Sequence, residues 1–203
     1  MAIAPVWFIS HGAPDLVLRD QPATRFLKQL RLEGIRGLVV LSAHWFSRSE
    51  LQINVEPSPA LMYDFYGFPE PLYQIRWPAR SPQWLQEAVG DQLLLAGLPA
   101  TPVHRELDHG VWSPLSLMDP DSELPLVQIA IPANFTPAQL WQLGEALQGL
   151  REQGIGILAS GAITHNLRAL GPDGSPVPQW ASQFARWLEQ TMAEGDRGAL
   201  EDY

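Results

Sequence analysis

Cysteine is absent from all 203 residues. That excludes a disulfide framework and any thiolate metal site. Basic residues are few: 13 Lys and Arg stand against 22 Asp and Glu, a formal charge of −9. A nucleic-acid partner wants a basic face, so that class is set aside. No apolar run approaches the ~18 residues that a membrane span needs. The first residues, MAIAPVWFIS, lack the charged start and long apolar stretch of a signal peptide. There is no internal repeat and no low-complexity linker, and the 19 Pro and 16 Gly are spread as punctuation. The expectation is an acidic, cytoplasmic protein with one domain over residues 1–203, and with neither nucleic acid nor membrane as partner. Its oligomeric state is not legible.

What is present is a core. Hydrophobic residues make up 46% of the chain. Val6–Ser10 reads as a short strand, and Ala23–Glu33 as a helix stopped by Gly34. Gly37–Ser42, Leu124–Ile131 and Ile155–Ser160 are continuous apolar runs, as strands buried on both faces are. Leu51–Val55 alternates and suits an edge strand. Pro82–Ala96, Thr136–Gln153 and Gln179–Ala193 read as helices, the second with Thr136 as N-cap and Pro137 in its first turn. Buried strands alternating with helices imply an α/β layer fold with a largely parallel central sheet flanked by helices.

In such sheets ligands bind beyond the carboxyl ends of the strands. His11 follows VWFIS, His44 follows GLVVLSA and His165 follows IGILASGAIT. If those strands are neighbours, three of the five histidines meet at one edge of the sheet. Three imidazoles there would suit Fe, Zn, Cu or Ni; the alternative is that each is an ordinary loop or cap residue. Asn166, next to His165, could orient a ligand from behind. His109, in LDHGVWSPL, follows no apolar strand. Its setting reads as a loop and suits a general acid–base, or else a surface histidine bonded to Asp108. His104 reads as structural, in an edge strand. Met62–Pro78 is dense in aromatics and prolines and reads as an ordered wall. Tyr63 and Tyr66 there offer hydroxyls to a small aromatic ligand; the other reading is cladding on the domain surface.

Six stretches, in order, carry a resemblance: SHGAPD, VVLSAHWFSR, YDFYGFPEPLYQIRWPA, LDHGVWSPL, LVQIAI and ASGAITHNLR. Together they resemble the DODA-type extradiol ring-cleavage dioxygenases. This is the 4,5-DOPA extradiol dioxygenase family, within the class III extradiol superfamily, and the likeness runs from residue 5 to about residue 190. It implies a mixed α/β sheet, a metal bound by His11, His44 and His165, and His109 as the acid–base residue. It further implies Fe(II) for catalysis, with Zn(II) able to occupy the same donors, and a small aromatic diol, DOPA-like, opened with O2. The alternatives are a Zn-dependent hydrolase on the same histidines and an inactive metal-binding relative.

The sequence departs from the family pattern in places. Ala162 stands where the family often has Asn, and Ser10 where a Gly often precedes the histidine. Family members usually continue beyond the point matching Tyr203 and carry one more metal-associated histidine. On the resemblance, then, the C-terminal part of the usual domain is missing.

Overall fold

The computed structural model describes residues 3–30, 32–172 and 174–203. The strands are β1 (Val6–Ser10), β2 (Gly37–Ser47), β3 (Leu51–Asn54), β4 (Ala100–Val103), β5 (Leu126–Pro132) and β6 (Ile155–Gly161). The helices are α1 (Pro22–Gln29), α2 (Glu70–Tyr73), α3 (Gln83–Leu95), α4 (His109–Met118), α5 (Pro137–Glu152), α6 (Gln179–Glu194) and α7 (Arg197–Glu201). Short 3-10 turns lie at Pro14–Leu18 and Leu167–Ala169. The six strands form one sheet in the order β1-β6-β2-β5-β3-β4. All neighbours are parallel except β3 against β5. The architecture is therefore the expected α/β fold with a mixed, largely parallel sheet. No helix among the described residues is long and apolar enough to cross a membrane.

The apolar runs form strands because both sides of the sheet are covered. Successive side chains of a strand point to opposite faces. Along β2, Leu38 and Val40 enter one core cluster and Val39 between them enters the other. The first cluster is closed by Leu27 of α1 and by Val111, Trp112 and Leu115 of α4. The second is closed by Leu85, Val89 and Leu93 of α3 and Leu143, Leu147 and Leu150 of α5. Each such side chain stabilises the fold by roughly 1.5–3 kcal/mol when fully buried.

Helix α5 starts where its cap demands. Thr136 accepts from the Gln139 backbone N–H while the Gln139 side chain accepts from the Thr136 N–H. This reciprocal pair satisfies two orphan donors of the first turn.

Four expectations need adjustment. Helix α1 ends at Gln29, and Leu30 is already extended (ψ 127°); Leu30 and Leu32 then turn inward against the first cluster. Arg31, within the longer helix expected there, lies outside the described residues. Strand β3 is interior, between β5 and β4, and β4 is the edge. Strand β2 runs five residues past Ser42 to Ser47, with its register against β5 shifting between Leu41 and Phe46. Finally, His109 opens helix α4 rather than sitting in a loop. That helix is buried on nearly every side and holds Pro114. A helix buried on nearly every side shows no clear apolar stripe, and an internal proline argues against helix, so its sequence signal vanishes.

Candidate metal centre

His11 is placed by the end of β1. Its backbone N–H bonds to the Gly161 carbonyl at the end of β6, 3.3 Å away. Gly12 follows in the left-handed region (φ +64°), where glycine alone is unstrained, and turns the chain away at once. His44 lies in the irregular stretch of β2, just past Ser42, the last residue paired with β6. An irregular strand re-aims its side chains, and here it swings His44 toward His11. His109 comes from the other direction, as the first residue of α4.

The three rings meet. His11 and His44 bring their Nε2 atoms to 3.0 Å. Ring centroids are 4.1 Å apart for His44–His109, 4.9 Å for His11–His44 and 5.3 Å for His11–His109. One nitrogen from each lies within 4.8 Å of the others, and these form the one group of three or more potential ligands found among the described residues. Two nitrogens held ~2.0–2.1 Å from a tetrahedral ion lie roughly 3.4 Å apart, so the His11–His44 spacing is close to what a single ion needs.

Electrostatics keep the rings available. Burial, then the neighbouring His109 and His44, lowers the His11 pKa to about 4. His44 is lowered for the same reasons, burial first and then His109. A neutral imidazole keeps a lone pair for a cation. The donor set therefore fits a nitrogen-binding transition metal.

Behind the rings stands a polar frame. Asp64 Oδ1 lies 2.9 Å from His109 Nδ1 and accepts the His109 backbone N–H at 3.1 Å. Its other oxygen is 3.9 Å from His44 Nδ1. Burial works against the Asp64 charge, but the His109 ring and backbone outweigh it and hold the carboxyl below its ordinary value. His11 Nδ1 lies 2.9 Å from Ser160 Oγ, which donates to the Gly110 carbonyl at 2.5 Å. The fully buried Asp108 carboxylate accepts from Ser42 Oγ (2.5 Å), Gln128 Nε2 (2.7 Å) and Arg105 Nη1 (3.0 Å). It thereby ties β2, β5 and the entry to α4 together. Gly110 is where these parts crowd: a Cβ there would collide with Ser42 Oγ and lie 3.1 Å from the His44 ring.

The remaining expected residues fall elsewhere. His165 is exposed on the segment after β6 and is not one of the three clustered rings. It is near enough for its charge to weigh on both His11 and His44. Asn166 caps the 3-10 turn that follows, accepting from the Arg168 N–H at 3.2 Å. His104 lies just past β4 and pairs with Glu56 at 2.9 Å on the surface. The Tyr63 hydroxyl donates to the Ile75 carbonyl at 2.7 Å and receives Arg76 Nη1 at 2.8 Å. Tyr66 is 92% exposed. Between them, Phe65 sets its ring edge-on to His109, 5.8 Å between centroids.

Reading the sequence missed Asp64, Phe65, Ser160 and the Asp108 frame. Asp64 was the one acid between two tyrosines of an aromatic wall, and Ser160 closed an apolar strand. Both are signals of a polar group with a partner inside.

The family described as the catalytic LigB subunit of aromatic ring-opening dioxygenase matches residues 12–203. A 4,5-DOPA dioxygenase extradiol of Escherichia coli K12 is 37% identical over 196 residues, covering 93% of this chain and 70% of that protein. The Beta vulgaris protein of the same description is 33% identical over 208 residues, covering 99% of this chain and 77% of that one. The crystal structure of an uncharacterized Escherichia coli K12 protein superposes with a TM-score of 0.76 at 30% identity, over 93% of this chain and 72% of that one.

Proposed function

The chain belongs to the LigB family of metal-dependent aromatic ring-opening dioxygenases, and from that premise we propose that its substrate is a catechol, DOPA-like in class, opened beside the diol with Fe(II) as the working metal. The observation that carries the reading is the convergence of His11, His44 and His109 at the carboxyl end of the sheet. Bound there, Fe(II) with open positions would supply sites for both catechol oxygens and for O2, and a path for electrons between them. Zn(II) would bind the same donors more tightly without that oxygen chemistry.

The protein's own residues do the rest. His11 and His44 hold the metal. The cluster gives the third nitrogen to His109, whose ring Asp64 orients. That leaves the exposed His165 free to swing over a bound diol and take or return its proton. The likeness in sequence had assigned these last two roles the other way round. Phe65 walls the site beside His109. Of the two tyrosines, Tyr66 has the hydroxyl open to a ligand, whereas that of Tyr63 is engaged.

The test is anaerobic loading with Fe(II), followed by oxygen uptake on addition of a panel of catechols. Uptake matched by a ring-opened semialdehyde product is expected. Metal bound at about one per chain with no uptake on any catechol would sink the reading. His109→Ala and His165→Ala then separate the roles: the first should lose metal, and the second should keep it and slow turnover by about 10²–10⁴-fold. The opposite pattern restores the assignment from sequence.

A further inference from the structure

The hydrogen bonds behind the rings decide which nitrogen of each histidine carries its proton. Ser160 has one hydroxyl proton, and its 2.5 Å partner, the Gly110 carbonyl, can only accept. The proton is therefore spent, and Ser160 Oγ can only accept from His11 Nδ1 at 2.9 Å. His11 must then be protonated at Nδ1, with a bare Nε2. The same logic applies to His109, whose Nδ1 faces an acceptor-only carboxylate, Asp64, at 2.9 Å. His44 has no such anchor. Its Nδ1 is 3.9 Å from Asp64 Oδ2, too far for a hydrogen bond. Its Nε2 lies 3.0 Å from His11 Nε2.

We propose that Ser160 and Asp64 are positioning residues that preset His11 and His109 as Nδ1–H tautomers, which leaves the Nε2 of each ring bare. Two rings presented ready-made leave little to rearrange, and an outer partner of this kind sets both the orientation and the donor strength of a ligand. Ser160 is nearly fully buried, and so is His11, so water does not compete for the Nδ1 proton. The inference rests on the metal-centre reading for its loaded state only; the metal-free tautomers stand on the hydrogen bonds alone.

The experiment is ¹⁵N NMR of the histidine rings in the full chain at neutral pH, metal-free and with Zn(II), together with Zn(II) affinity by chelator competition. Wild type should show His11 and His109 as Nδ1–H both before and after Zn(II) is added. Ser160→Ala should release His11 to a mixed tautomer and weaken Zn(II) binding by about 10–100-fold. Ser160→Thr, which keeps the hydroxyl, should restore both. A wild-type His11 carrying its proton on Nε2 overturns the proposal without any variant having to fold. So does a Ser160→Ala protein with unchanged tautomer and affinity, or a Thr variant as weak as Ala, which would mark a packing role. Zn(II) failing to bind wild type while His11 remains Nδ1–H would sink the metal-centre reading and leave the preset tautomers standing.

Discussion

The two faces of the sheet are covered by helices of different character. On the α3 and α5 side the buried cluster is aliphatic throughout, from Val39 and Ile53 to Leu147 and Leu150. On the α4 side the apolar cluster shares its space with fully buried polar groups: Ser42, Asp108, Ser113 and Gln128. Charge and hydroxyls under a helix are costly unless paired. The Asp108 carboxylate is satisfied by three donors, Ser42, Arg105 and Gln128, and those bonds hold the frame around His44 and His109, while the Ser113 hydroxyl and Gln128 Oε1 are buried without a hydrogen-bond partner. One face supplies burial; the other gives up some burial to position rings.

The comparison can be broken at several points. The largest effect belongs to the site. His11→Ala should lower metal affinity by more than ~100-fold, beyond the loss expected for an outer partner, and oxygen uptake should fall to background. Metal analysis after dialysis and circular dichroism check that the fold survives. If the variant keeps its metal, His11 is not a ligand.

Next is the frame. Asp108→Ala leaves Arg105 without its carboxylate and Ser42 and Gln128 without their acceptor. Removing one partner of a buried pair costs about 3–5 kcal/mol, and the partial exposure of Arg105 puts the expectation at the lower end. Urea unfolding should show this loss, accompanied by weaker metal binding in the folded protein.

Leu147→Ala is the control on the other face. A cavity there should cost a comparable ~2–5 kcal/mol, with metal affinity of the folded protein unchanged. If both variants disturb the metal equally, the division of labour between the faces fails.

The smallest effects are in the aromatic segment. Tyr63→Phe loses the bond to Ile75 and should cost about 1 kcal/mol of stability. Tyr66→Phe should leave stability alone and raise the KM for a catechol by about fivefold, the value of one neutral hydrogen bond. Kinetics on the two variants with metal content held equal distinguish a wall from cladding.

Most of the sheet was readable in advance because the relevant signal is local. Gly37–Ser42 and Ile155–Ser160 are apolar up to their closing serines, and a strand covered on both faces needs little else. The bounds of α5 followed from Thr136, Pro137 and Gly154, each acting within one turn. Helix α4 was not readable, since its burial on all sides erased the periodicity, and Pro114 argued against it. The place of β3 inside the sheet was not readable either, because pairing partners far apart in sequence decide which strand is an edge.

For the site, residue type and position along the chain sufficed to bring His11 and His44 to one edge: His11 follows β1, His44 comes just past the stretch of β2 paired with β6, and both strands run parallel to β6. Tertiary structure alone set the His109 ring in the cluster and brought Asp64, 45 residues away in the chain, to its far nitrogen by a hydrogen bond. It alone left His165 outside the cluster, at the surface. The physical reason is range. Side-chain patterning and capping act over a few residues and are written into the order of the chain. The direction in which a ring points, and the hydroxyl or carboxylate that meets its far nitrogen, depend on ångström-scale packing between segments that the sequence keeps far apart.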